Sequence, residues 1–134
     1  VHKNPTVRKV VSEILENHPR VYLIEPMDYE PFINLMAQTY LILSDSGGIQ
    51  EEAPSLGIPV LVVRDTTERP EAVVAGTVNI VGTNYEKVLE GIRRLLSDQD
   101  TYLKMSQACN PYGDGCAGAR IAEIVVESLN KWDN

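Results

Sequence analysis

The sequence has few of the features that mark several large classes of protein. It contains 2 cysteines among 134 residues, Cys109 and Cys116, too few for a disulfide framework or a four-ligand zinc site. The net charge is −7 and no basic cluster offsets it, which argues against binding to nucleic acid. No apolar run approaches the roughly 20 residues of a membrane span, and no signal peptide is recognisable at the start. We therefore expect a cytoplasmic protein with reduced thiols and no membrane, nucleic-acid or metal partner.

The length suits one domain over residues 1–134, large enough to bury a core. Because the chain opens without Met, we expect it to be part of a larger protein. Four short apolar segments, each continuous rather than alternating, are typical of parallel strands covered on both faces. They are residues 20–26, 40–46, 58–64 and 77–83.

Helical patterns separate these strands. The predicted helix starts are Asn4-Pro5, Pro31, Asn84 and Asp98, and a last helix carries Ile121 and Ile124. Strand–helix alternation predicts an α/β fold with a Rossmann-like, doubly wound parallel sheet. Ligands bind such sheets at the carboxyl ends of the strands. The loops expected there, which hold many of the polar residues and glycines, are 2–8, 25–32, 44–48 and 64–70.

Residues 44–57, SDSGGIQEEAPSLG, combine a serine, two glycines and two acids at the start of a predicted helix. A nucleophilic serine would need a base and an orienting acid, and the hydrolase elbow G-x-S-x-G is absent because Ser44 replaces its first glycine. Unpaired amides at a helix start, approached closely past glycines, instead suit a phosphate. A capped tight turn without any ligand explains the same residues. This segment alone leaves both interpretations open.

Glu52 favours the phosphate interpretation. It follows Gly48 by four residues and therefore lies on the same helical face, about 6 Å further along the axis. A carboxylate there could accept the hydroxyls of a ribose. Alternatively, Glu52 only stabilises the helix dipole. Glu51 points elsewhere, and we expect it to be solvated or to act as a cap.

Arg69 gives a second indication of an anion. It precedes Pro70 at a predicted helix start, where a cation opposes the helix dipole unless an anion is held in common. The alternative is a surface ion pair with Glu68 or Glu71.

Three further features have ordinary structural explanations. His2 lies at a strand-to-helix junction, where a solvent-facing role is common. Phe32 is the only phenylalanine, and it suits core packing although a base could stack on it. The segment NPYGDG at 110–115 is typical of a connector before the last helix.

Together these segments resemble the non-hydrolysing UDP-N-acetylglucosamine 2-epimerases. The resemblance rests on HKNP, IEPMDYEPF, DSGGIQEEAPSLGIPVLVVRDTTERPEAV, GT and NPYGDG, which follow the family's order and spacing and span nearly the whole chain. Lys3 departs from the pattern, since family members often have Pro or Leu at that position.

The resemblance implies the carboxyl-terminal, UDP-binding half of a two-domain GT-B enzyme. It also implies roles for individual residues at the start of the conserved block. Ser46 and the backbone of Gly47 and Gly48 would hold the diphosphate. Glu52 would bind the ribose hydroxyls, and Arg69 would contact a phosphate.

The resemblance implies three further contacts with the substrate, UDP-GlcNAc. Phe32 would pack on the uracil, the backbone around Met27 would read the edge of the uracil, and His2 would be the active-site histidine. The family needs no cofactor.

The family's reaction eliminates UDP to give a 2-acetamidoglucal and then adds UDP back with the configuration at C2 inverted, which yields UDP-ManNAc. Elimination needs carboxylates near C2 and cations near the diphosphate. The family's catalytic acids lie in the amino-terminal domain, which is absent here, so we expect this chain alone not to epimerise. We expect the full-length form to be a homodimer. The alternatives are half of a GT-B glycosyltransferase, a non-catalytic nucleotide-binding module and a hydrolysing relative.

Overall fold

The computed structural model describes residue 1 and residues 3–132, without the side chains of 131 and 132. The chain divides into two compact units, Val1–Gln38 and Thr39–Asn134, each of which is described by itself. The prediction of a single domain over residues 1–134 stays a prediction.

In its described residues the first unit has two helices, α1 (Pro5–Leu15) and α2 (Tyr29–Met36). The predicted start of α1 is confirmed, since the Asn4 side chain accepts a hydrogen bond from the Thr6 amide at 2.9 Å. Pro5 occupies the first turn, where its missing amide hydrogen costs nothing.

The strand predicted at 20–26 is wrong. Residues 21–28 have no regular secondary structure, and the strands found in the described part of the chain pair only with one another. A strand requires a neighbour that supplies ladder hydrogen bonds, which an apolar pattern alone cannot guarantee. Tyr22 and Ile24 are correspondingly exposed.

The second unit is built on a parallel sheet of β1 (Ile42–Ser44), β2 (Val60–Val62) and β3 (Val78–Ile80), in the order β1-β2-β3. All three residues of β2 are buried, as its continuous apolar sequence predicts. The other three predicted strands are therefore confirmed, although each is only three residues long. Pro59 limits β2 at its start because proline has no amide hydrogen for the ladder.

Five α-helices belong to this unit in the described residues. α5 and α6 begin at the predicted caps, because Asn84 accepts from the Lys87 amide at 3.2 Å and Asp98 from the Thr101 amide at 3.0 Å. None of the helices that the structure describes is long and apolar enough to cross a membrane. The helices are α3 (Gly47–Glu52, followed by a 3₁₀ turn at Ala53–Leu56), α4 (Pro70–Ala75), α5 (Tyr85–Ser97), α6 (Gln99–Ser106) and α7 (Ala117–Trp132).

The core of the second unit depends on a close approach between α5 and the sheet. Leu61, Val81 and Leu95 form a buried cluster there. Gly91 faces this cluster so closely that a Cβ on it would lie 2.8 Å from Cγ1 of Val81 and 3.5 Å from Cδ1 of Leu61. The absence of a side chain at position 91 therefore allows α5 to pack against the sheet.

We expect Gly91→Ala to destabilise the protein. The added methyl group overpacks the core at a cost of about 1–3 kcal/mol, which exceeds the gain of at most about 1 kcal/mol in helix propensity. Gly118→Ala in α7, where a Cβ would meet nothing within 4 Å, is the matched control and should be stabilising. Urea unfolding of both variants measures the difference. A Gly91→Ala protein as stable as the Gly118→Ala protein would contradict this packing.

Candidate functional site

Two loops leave the sheet of the second unit at the same edge. β1 and β2 are parallel neighbours with Ser44 opposite Val62, so their carboxyl ends lie side by side. The first loop turns through Ser46 into α3, and the second, residues 63–69, leads into α4. This is the edge at which the sequence predicts a ligand.

The start of α3 is an open glycine turn. Ser46 is the exposed N-cap residue, and its side chain makes no capping hydrogen bond. Gly48 is exposed as well, and Gly47 is half-buried. The first amides of an α-helix have no partner within the helix and carry partial positive charge. The turn can therefore offer the Ser46 hydroxyl and backbone amides to an anion.

A buried glutamine connects this turn to the second loop. Gln50 is 0% exposed; its Nε2 donates to the Ser46 carbonyl at 3.2 Å, and its Oε1 accepts from the Thr67 hydroxyl at 2.6 Å. The same hydroxyl accepts a hydrogen bond from the Arg69 amide at 3.0 Å. This Gln50–Thr67 bridge therefore fixes the glycine turn relative to Arg69.

The sequence interpretation missed both members of the bridge. Two local signals could have indicated them. Gln50 follows Ser46 by four residues and so lies one helical turn from the glycine turn. Thr67 precedes Arg69 by two residues, the spacing at which a threonine hydroxyl commonly accepts from the backbone.

Arg69 lies beside the glycine turn and is paired with Glu51. Its Nε donates to Oε1 of Glu51, and its Nη1 donates to the Glu68 carbonyl at 3.2 Å. Its Nη2 would lie 3.9 Å from a Cβ placed on Gly47. The hydrogen bond to Glu51 raises the pKa of Arg69, so the guanidinium stays charged.

The expectation that Glu51 is solvated or acts as a cap is therefore wrong. Its carboxylate reaches out of α3 to a cation on the neighbouring loop, a contact that sequence spacing does not reveal. The alternative for Arg69 was an ion pair with Glu68 or Glu71. The structure instead pairs the Arg69 guanidinium with the carboxylate of Glu51.

Glu68 is a site residue that the sequence interpretation did not single out. Its Oε2 accepts from Nη1 of Arg64 at 2.6 Å. Its Oε1 would be only 2.8 Å from a Cβ on Gly47. A hydrogen bond from its own backbone amide is the largest cause that lowers the pKa of Glu68; partial desolvation opposes the shift, and the charges of Arg64 and Arg69 add to it. An ionised carboxylate thus lies against the glycine turn.

Glu52 is the last residue of α3 and is half-buried. Its carboxylate makes no hydrogen bond or ion pair with any other residue that the structure describes. It lies one helical turn beyond Gly48, as the sequence predicts.

The NPYGDG segment does more than connect two helices. Asn110 donates from Nδ2 to the Ser55 hydroxyl at 2.7 Å, which ties the segment to the turn that follows α3. Burial raises the pKa of Tyr112, and the charges that act on its hydroxyl are Glu71, Arg69 and Glu51. The segment is therefore held against the turn that follows α3.

The remaining predicted site residues are in the first unit. Met27 is 43% exposed and lies just before α2, and Phe32 is half-buried within α2. His2 lies outside the described residues. The roles assigned to these three residues stay predictions.

The described residues contain no group of three or more His, Cys, Asp or Glu that could hold a metal ion. Cys109 and Cys116 are free and exposed.

The sequence matches proteins of one family. The model of the UDP-N-acetylglucosamine 2-epimerase family matches residues 1–126. The UDP-N-acetylglucosamine 2-epimerase of Escherichia coli K12 is 60% identical over 125 residues, which are 93% of this chain and 33% of that enzyme. The Campylobacter jejuni enzyme of the same name is 54% identical over 130 residues, 97% of this chain and 34% of the enzyme. The chain thus spans about a third of the length of these relatives.

Solved structures match the fold equally well. A structure of S. aureus MnaA with UDP superposes with a TM-score of 0.88 at 52% identity and covers 96% of this chain and 35% of that one. A Neisseria meningitidis UDP-GlcNAc 2-epimerase bound to UDP-GlcNAc superposes with a TM-score of 0.84 at 53% identity and covers 98% of this chain and 35% of that one.

We expect Thr67→Val to lower the free energy of unfolding by about 1–3 kcal/mol, because the buried amide oxygen of Gln50 loses its donor. Thr67→Ser keeps the hydroxyl and should retain most of the stability. Chemical denaturation measures both, and hydrogen exchange at the Arg69 amide should quicken in the valine variant only. Equal stability of the two variants would mean that the bridge contributes little.

Proposed function

The chain belongs to the UDP-N-acetylglucosamine 2-epimerase family, and on this premise we propose that it is the UDP-binding part of an enzyme that interconverts UDP-GlcNAc and UDP-ManNAc. The fold is the predicted one, a Rossmann-like α/β half of a GT-B enzyme. The observation that carries the proposal is the position of Arg69 beside the glycine turn. The Gln50–Thr67 bridge holds Arg69 in that position.

The diphosphate of UDP binds at the glycine turn in this proposal. The Ser46 hydroxyl and the amides of Gly47 and Gly48 donate to its oxygens, and Arg69 supplies the positive charge. Arginine is suited to this task because its planar guanidinium can donate more than one hydrogen bond to a phosphate. The pair with Glu51 uses Nε and so supports a fixed direction of the guanidinium.

The ribose binds at Glu52. A carboxylate without a described protein partner, one helical turn beyond the glycines, can accept hydrogen bonds from the vicinal hydroxyls. The resemblance to the family extends the assignment to the uracil, with Phe32 packed on the ring and the backbone at Met27 at its edge. It also assigns His2 to the active site.

The chain contributes the leaving-group side of the reaction. UDP gathers negative charge as its bond to the sugar breaks, and fixed amides and Arg69 stabilise that charge. The carboxylates that move the proton at C2 belong to the part of the relatives that this chain does not span. The names of the relatives favour an epimerase over a glycosyltransferase. The homodimer and the cytoplasmic location of the full-length protein remain part of the proposal.

We expect Glu52→Ala to weaken the binding of UDP about 10- to 100-fold, because charge-assisted hydrogen bonds to the ribose are lost. The 2′-deoxy analogue dUDP lacks one of the two hydroxyls. Its affinity should therefore fall less than that of UDP when Glu52 is replaced by Ala. Isothermal titration calorimetry of both nucleotides measures the two losses. Glu90→Ala, which removes an exposed carboxylate from α5, is the control and should change neither affinity. An equal loss for UDP and dUDP would count against a contact with the 2′-hydroxyl.

We expect Arg69→Ala to weaken UDP binding by a similar factor, about 10- to 100-fold, while the binding of uridine changes little. Uridine has no phosphate and so does not use the guanidinium. Arg93→Ala, at an exposed position on α5, controls for the loss of one positive charge. If the ratio of the UDP and uridine affinities is unchanged in Arg69→Ala, Arg69 serves only its pair with Glu51.

A further inference from the structure

The glycine turn has a carboxylate of the protein itself against it. Oε1 of Glu68 would be 2.8 Å from a Cβ on Gly47, and the Glu68 carboxyl carbon would be 3.7 Å from it. The carboxylate thus fills the space that the missing side chain leaves open. This is the space through which a diphosphate would approach the backbone amides.

Two arginines lie close to the Glu68 carboxylate in this position. Its other oxygen, Oε2, accepts from Arg64 at 2.6 Å, and the guanidinium of Arg69 is close on the glycine side. The side chains of Arg64 and Glu68 are 42% and 45% exposed. Ion pairs of that exposure contribute little free energy, so the arrangement can open readily.

We propose that Glu68 is an internal competitor of the diphosphate, and that UDP occupies the glycine turn only after the Glu68 carboxylate has moved away. The inference rests on the proposed function, since it takes the turn as the diphosphate site. Two anions at the same turn would repel each other, and the turn has room for only one. Glu68 thereby sets the affinity for the charged part of the ligand and leaves the nucleoside part unaffected.

The competition also links binding to release. When UDP leaves, the Glu68 carboxylate returns to Gly47 and to Arg64, so the glycine turn again has an anion against it. Binding and release of UDP therefore exchange one anion for another at the glycine turn.

Glu68→Gln tests the proposal because it keeps the shape of the side chain and removes the charge. UDP affinity should rise about two- to fivefold, the range expected for a solvent-exposed charge interaction, and uridine affinity should stay the same. Glu68→Ala should raise UDP affinity as well. Glu71→Gln, which removes an exposed carboxylate from the first turn of α4, controls for net charge and should have a smaller effect.

A second measurement follows the carboxylate directly. In the wild-type chain with ¹³C-labelled glutamate, the carboxyl signal of Glu68 should shift on titration with UDP and stay in place on titration with uridine. An unmoved signal at saturating UDP would overturn the proposal, as would unchanged or weaker UDP binding by Glu68→Gln.

The two proposals fail in different ways. If UDP binds and Arg69→Ala weakens it, but Glu68→Gln does not strengthen it, the competitor role is wrong and the UDP site stands. If neither the wild-type chain nor Glu68→Gln binds UDP, the proposed function is wrong and the competitor role with it.

Discussion

The side chain of Gln50 makes hydrogen bonds to two loops at once, although no part of it reaches solvent. A buried amide that lost either partner would carry the full cost of its desolvation, so the folded state strongly favours the arrangement in which both are present. The Ser46 carbonyl and the Thr67 hydroxyl are thereby held close together at the edge of the sheet. The position of Arg69 beside the glycines depends on this arrangement, because the Thr67 hydroxyl also accepts from the Arg69 amide.

The positive charges around the turn are balanced by carboxylates of the protein itself. Arg69 is paired with Glu51 and Arg64 with Glu68, so each cation near the proposed phosphate position already has a carboxylate. An acidic chain with a net charge of −7 can therefore present a local anion site without a basic surface. The overall charge describes the long-range field, whereas the site depends on a few fixed donors at short range.

Local features were predictable from the sequence, and contacts between distant residues were not. Asn4, Asn84 and Asp98 act as helix caps because capping involves only the next few residues. The prediction of a strand at 20–26 was wrong because strands depend on partners elsewhere in the chain. The family resemblance named Ser46 and Arg69, but not the Gln50–Thr67 bridge that joins them. The Glu51 pair was missed for the same reason, since Glu51 and Arg69 are 18 positions apart.

The close fit between Gly47 and Glu68 also constrains the order in which these positions can mutate. An alanine at position 47 would force the Glu68 carboxylate out of its place and away from Arg64. A shorter residue at position 68 would remove that conflict in advance, so the same alanine would then meet no obstacle there. The two substitutions are therefore epistatic. A lineage that changes both reaches the double variant more easily through position 68 first.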